Sequence, residues 1–264
     1  MLTDDDFAVL ASLRSTRVFA TTLHEILNDT ARDGDSCEDK IKDALYAQVA
    51  ARDEGIIERR LKDANLHTSI AALERFDTTG DRGITQDRID RLNTCDWINY
   101  GQDLIIIGAT GTGKSYLAQA VGIAACRKKM TASYWRMNDL ADEFDARASL
   151  PAQRKDFLDK LARPSVVIID DFLTTEVSHY ALNQVFNLLV KRENSSTVLA
   201  SQTTPDSWYT TFNNAAVADA VLSRLSNDGL ALTLKGDDMR AREDLQKERR
   251  IAIKKHNDRQ PRKR

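Results

Sequence analysis

The stretch from Leu104 to Val121, LIIIGATGTGKSYLAQAV, constrains this chain more than any other. An apolar run leads into a glycine-rich octet, and a segment with Leu117, Val121 and Ala124 on one helical face follows. Gly108, Gly113, Lys114 and Ser115 have the spacing G-x4-G-K-[ST]. In that spacing the glycines let the backbone turn tightly, so successive N–H groups face one point where a phosphate can sit. A helix opening near Gly113 aims the positive end of its dipole at the same point. Lys114 then reaches β- and γ-phosphate oxygens, and Ser115 offers its hydroxyl to Mg2+. The expected cofactors are ATP and Mg2+. The expected contacts are Gly108, Ala109, Thr110, Gly111, Thr112, Gly113, Lys114, Ser115 and Tyr116.

Strand, loop and helix open a parallel α/β sheet, and the chain beyond Asp103 continues in that texture. Short apolar runs recur at 104–107, 133–135, 166–169, 197–200 and 230–234, with helical stretches between them. Nearly continuous apolar runs mark strands covered on both faces by helices. Leu182, Val185, Phe186 and Leu189 line one amphipathic helix that ends at the basic pair Lys191 and Arg192.

Residues 1–75 read differently, as a small all-helical module: Phe7, Leu10, Leu13, Phe19, Leu23, Ile26 and Leu27 in a first segment, broken at Gly34. A second helix is expected from a Ser36/Asp39 capping box through Ile41, Leu45 and Val49, and a third through Ile57, Leu61 and Ala64. Residues 76–101 form a connector with one helix, 102–240 the α/β core, and 241–264 a basic helix or tail. The last apolar strand ends near Leu234, and the 30 residues left allow only about two helices, too few for a full helical lid.

Chemistry beyond the phosphate loop is expected at three places. In VVIIDDF, Asp170 ends a buried strand where a carboxylate can hold Mg2+, usually through water. Asp171 follows where a second acid orients the attacking water; being one methylene shorter than glutamate, it predicts slow hydrolysis. In TVLASQTTP, Ser201 and Gln202 both stand where a polar residue can touch the γ-phosphate, with Gln202 favoured. In AVADAVLSRLSNDG, Arg224 falls inside the apolar arc of Val217, Ala220, Val221, Leu222 and Leu225. A guanidinium there needs a partner. It has either an internal acid or the active site of a neighbouring protomer, where it would act as an arginine finger.

These residues together resemble the AAA+ class of ATPases and, more closely, the IstB family, helper ATPases of insertion-sequence transposases related to the helicase loader DnaC. The resemblance rests on GATGTGKSYLAQA, VVIIDDF, TVLASQTTPDSW, VADAVLSRLSNDGLALTLKGDDMR and the helical front ending IERRLKDANL. It implies an AAA+ P-loop core behind a helical module, with Lys114 and Ser115 on nucleotide and metal. Asp170 and Asp171 take the Walker B role, Gln202 a sensor role, and Arg224 the finger acting in trans. It also implies ATP-dependent assembly of this chain with itself, as ring or filament, on double-stranded DNA with little sequence preference, and recruitment of a cognate transposase. A helicase loader is the second reading. A small-molecule P-loop kinase is a distant third, since it explains neither Arg224 nor the helical front.

Net charge is −2, so DNA binding must come from local patches. Candidates are Arg59, Arg60 and Lys62, and the run Arg127, Lys128 and Lys129. Residues 245–264 carry nine basic side chains against Glu248 and Asp258 and remain unassigned between a solvated end and a DNA or transposase contact. Cys37, Cys95 and Cys126 are scattered, which argues against a zinc site or a disulfide framework. No apolar run reaches the length of a membrane helix, and MLTDDDF lacks the layout of a signal peptide, so a cytoplasmic protein without membrane partners is expected.

Overall fold

A computed structural model of the chain describes residues 3–66, 71–208 and 229–239. It divides into two compact units, Met1–Arg59 and Arg60–Arg264.

The first unit is helical. α1 (Asp4–Ser12) is capped by Thr3, whose hydroxyl accepts from the Asp6 N–H while the Asp6 carboxylate accepts from the Thr3 N–H. α2 (Arg17–Leu27) follows after a break at Leu13–Thr16 that the apolar spacing alone did not reveal. Phe7, Ala20, Leu23 and Ala44 form its small core. α3 (Cys37–Asp63) starts as expected at Ser36, whose hydroxyl accepts from the Asp39 N–H at 3.1 Å. The two helices expected over 36–64 are one helix of 27 residues. Gly55 lies inside it without interrupting it, because a lone glycine costs a helix only about 1 kcal/mol and no proline or cap stands nearby.

The second unit is built on a five-stranded, all-parallel sheet in the order β2-β3-β4-β1-β5. The strands are β1 (Leu104–Gly108), β2 (Ala132–Arg136), β3 (Val166–Asp170), β4 (Ser196–Ser201) and β5 (Leu230–Leu234), matching the five apolar runs. Side chains alternate across the sheet. Leu104, Ile106, Val166, Ile168, Val198 and Ala200 enter one core layer, whereas Ile105, Val167, Ile169 and Leu199 enter the other. Each buried Val, Leu or Ile among them stabilises the fold by about 1.5–3 kcal/mol.

The first layer is covered by α4 (Gln86–Thr94), α5 (Asp96–Asn99) and α6 (Lys114–Arg127), and by residues 61–66 and 71–76. The one helix expected within residues 76–101 is split into α4 and α5 at Cys95, which takes a left-handed conformation with φ 61°. The second layer is covered by α7 (Met137–Asp145), α8 (Pro151–Ala162), α9 (His179–Lys191) and α10 (Pro205–Trp208). Pro151 opens α8, and the Ser178 hydroxyl caps α9 by accepting from the Ala181 N–H at 2.9 Å. Among the described residues no helix is long and apolar enough to cross a membrane.

Arg192, just past α9, is 1% exposed. Its guanidinium donates to the carbonyls of Ala162, Pro164, Ser165 and Ser196 and to the Thr197 hydroxyl. It thereby ties the end of α8 to the starts of β3 and β4. Asp103 does similar work beside β1, accepting from the Thr197 N–H at 2.7 Å.

Candidate nucleotide-binding site

At the carboxyl end of β1 the chain turns through Ala109–Gly113 into α6. Gly111 and Gly113 take φ of +83° and +99°, which only glycine adopts readily. Gly108 is needed for space: a Cβ there would stand 2.7 Å from the Leu234 carbonyl oxygen and from Thr112 Oγ1. Gly113 caps α6 without a side-chain hydrogen bond, so the first-turn N–H groups have no side-chain acceptor at the cap. The Lys114 ammonium is buried and donates to the Ala109 carbonyl at 2.8 Å. The Thr112 hydroxyl donates to that same carbonyl at 2.8 Å.

β4 lies between β1 and β3, so its end sits between the phosphate loop and the acidic pair. There the Thr110 hydroxyl donates to Gln202 Oε1 at 2.8 Å, which puts Gln202 on the loop. Ser201, the other residue considered, turns inward and donates to the Phe172 carbonyl at 2.7 Å. The turn after β3 is fastened to β4 by the Phe172 N–H, 2.8 Å from the Ala200 carbonyl, and by an edge-on Phe172–Trp208 contact at 4.9 Å.

Asp170 is 1% exposed, yet both carboxylate oxygens have donors: the Tyr134 hydroxyl at 2.6 Å from Oδ2 and the Asp171 N–H at 3.0 Å from Oδ1. Burial, then the charge and hydrogen bond of Asp170, push the Tyr134 phenol well above its ordinary range, so it remains a donor. Asp171 is half-buried with φ 54°, a conformation aspartate tolerates. Exposed Arg136 is held further toward its charged form, chiefly by hydrogen bonding with Tyr134, with Asp139 and Asp171 adding to this.

Besides Tyr134, Arg82 escaped sequence reasoning. Arg82 is 6% exposed and spans from the phosphate loop to the segment after β5: Nη2 donates to the Thr112 carbonyl at 2.7 Å and Nη1 to the Lys235 carbonyl at 3.1 Å. Its Nε is buried without a hydrogen-bond partner among the described residues. The Phe76 ring lies 5.8 Å under the guanidinium and 6.2 Å from the Tyr116 ring. Tyr116 spends its hydroxyl on the backbone of Ala72. The one sequence signal was Gly83, where a Cβ would fall 1.9 Å from the Thr233 carbonyl oxygen. A glycine there marks a close approach, but nothing in the sequence says to what. The segment after β5 also touches the loop, with the Met239 N–H 3.0 Å from the Gly111 carbonyl.

No three His, Cys, Asp or Glu side chains converge on a metal site among the described residues. Among the described residues, Asp170 and the Ser115 hydroxyl could hold Mg2+ at this site. That suits an ion that keeps several waters and takes further oxygens from phosphate.

The remaining expected residues are not gathered here. Arg59 and Lys62 are exposed near the end of α3 and Arg60 is half-buried. Arg60 acts on the Cys126 thiol, one residue before the exposed run Arg127–Lys129, so it stands near the end of α6. Arg127 pairs loosely with Glu74 at 3.5 Å. Arg224, the basic run 245–264 and any lid lie outside the described residues.

The family model of IstB-like ATP binding proteins matches residues 8–247. A Sinorhizobium fredii protein named as an insertion-sequence ATP-binding protein is 30% identical, over 69% of this chain and 74% of its own length. One from an insertion sequence of Mycobacterium tuberculosis is 27% identical over 74% and 78%, and that of IS21 from Pseudomonas aeruginosa 28% over 76% and 75%.

Among solved structures, a DNA replication initiation factor aligns with TM-score 0.55 at 19% identity, over 71% of this chain and 56% of that one. The replication initiator DnaA bound to AMPPCP and single-stranded DNA aligns at 0.52 and 18%, over 64% and 51%. DnaI aligns at 0.50 and 18%, over 64% and 90%. This chain thus spans about half the length of those two initiators, and the likeness is one of fold, the AAA+ P-loop architecture. With its phosphate loop on β1, its acidic pair on β3 and a family match along most of its length, the chain belongs to the IstB-like ATP binding proteins.

Proposed function

We propose that the chain is an ATPase that assembles with itself on double-stranded DNA in the ATP-bound state and there recruits or activates the transposase of its insertion sequence. The observation that carries the reading is the pairing of a phosphate loop with a buried carboxylate at the end of β3, in a chain whose relatives are named for insertion sequences. Lys114 would exchange the Ala109 carbonyl for phosphate oxygens when nucleotide enters. Asp170 and Ser115 would hold Mg2+, which neutralises phosphate charge when bound. Asp171 would orient the attacking water, and Gln202, already on Thr110, would report the γ-phosphate.

Arg224 of a neighbouring protomer would complete the site, so that ATP holds protomers together and its loss releases them. The helical front, residues 76–101 and the α/β core would serve as contact module, connector and motor. DNA would be gripped through phosphates by the clusters at 59–62 and 127–129, with affinity falling steeply as salt rises. ATP hydrolysis assayed with and without duplex DNA tests the reading. Slow turnover that DNA or transposase accelerates supports it, and transfer of phosphate to a metabolite in place of water refutes it.

A further inference from the structure

β2 is an edge strand, and Tyr134 at its centre is held from three sides. Its N–H donates to the Ala64 carbonyl at 2.8 Å. Its carbonyl accepts from Asn65 Nδ2 at 3.2 Å. Both partners follow directly on α3, where Asn65 turns into the left-handed region with φ 55°. Ala64 and Asn65 thereby cover the edge of β2 at Tyr134. From this fixed backbone the phenol crosses to β3 and donates to Asp170 Oδ2 at 2.6 Å. Tyr134 and Asp170 are each 1% exposed, so no bulk water can substitute for that hydrogen bond.

We propose that Tyr134 is a positioning residue for Asp170: its hydroxyl, pinned through the backbone at Ala64 and Asn65, fixes the rotamer in which Asp170 faces the Mg2+ of the bound nucleotide. The inference rests on the ATP-site reading above. Each Asp170 oxygen accepts one hydrogen bond from the protein and keeps a second lone pair. Oδ1 is fixed by its own neighbour's N–H, which would move with it. Among the described residues, only the phenol ties the carboxylate to a separate strand. Tyr134→Phe removes one oxygen, keeps the ring, and leaves a buried carboxylate oxygen without its donor. A lost hydrogen bond to a charged group corresponds to about tenfold or more in an equilibrium constant.

The test is the Mg2+ dependence of the affinity for a fluorescent ATP analogue, in the full chain, for wild type, Tyr134→Phe, Asp170→Asn and the double variant. Tyr134→Phe should raise the Mg2+ concentration at half effect about tenfold, leave the affinity in EDTA unchanged, and add nothing in the Asp170→Asn background. An unchanged Mg2+ midpoint overturns the proposal, and so does an equal shift in the Asp170→Asn background, which would mark a merely structural role. Should Tyr134→Phe not fold, the same cycle with Asn65→Ala decides, with a smaller shift supporting the proposal and none overturning it. If wild type itself binds no nucleotide, the ATP-site reading fails, an outcome distinct from the failure of Tyr134.

Discussion

Arg82 Nη2 donates to the carbonyl of Thr112 at 2.7 Å, so a buried guanidinium 30 residues upstream holds the last turn of the phosphate loop. The same side chain holds the Lys235 carbonyl, and the Lys235 N–H returns a bond of 3.0 Å to the Arg82 carbonyl. Arg82→Ala would strand two carbonyls at once, each costing about 1–3 kcal/mol where water cannot replace the donor. Melting temperature should fall by several degrees, and affinity for a fluorescent ATP analogue should weaken about tenfold, both read on one preparation. Arg82→Lys, with one point donor for two divergent acceptors, should recover only part of either.

Lys114→Ala removes the ammonium now resting on the Ala109 carbonyl. A ligand that binds only the folded state raises its stability with concentration. Wild type should therefore melt higher as ATP is added, and Lys114→Ala should not, with its nucleotide-free melting point close to wild type.

Asp171→Asn keeps the size and the tolerance of the left-handed conformation at φ 54° but cannot orient water as a carboxylate does. Hydrolysis should fall about ten- to a hundredfold while ATP binding persists. Asp171→Glu restores the usual reach and should hydrolyse at least as fast as wild type. Unchanged turnover in both variants would remove Asp171 from the chemistry.

Arg192→Ala leaves the carbonyls of Ala162, Pro164, Ser165 and Ser196 without their donor in a dry interior. A loss of about 3 kcal/mol or more is expected in denaturant unfolding, with the nucleotide site unaltered in what remains folded.

Burial pushes the Cys95 and Cys126 thiols up to about 11. A raised thiol stays protonated and unreactive until pH passes its raised value. At pH 8 a thiol reagent should label exposed Cys37 alone, and all three after unfolding.

The α/β core was legible in the sequence because buried parallel strands leave continuous apolar runs, and all five runs are strands. The phosphate loop was legible because its chemistry requires glycines and a lysine at set spacing. Helix continuity was harder to read: Gly55 and Cys95 carry no periodic signal that distinguishes a tolerated residue from a break. Arg82 and Tyr134 were missed for another reason. Each reaches the site through contacts across the fold, Arg82 to Thr112 30 residues away and Tyr134 to Asp170 36 residues away, and a lone arginine or a tyrosine in an apolar run looks like surface or core.

On the proposed function, ATP assembles this chain on DNA. Electron microscopy of the protein with duplex DNA and a slowly hydrolysed ATP analogue tests it most directly. Oligomers should form on DNA only with the nucleotide and be lost in Lys114→Ala and Arg224→Ala. A protein that stays monomeric with ATP and DNA together would contradict it.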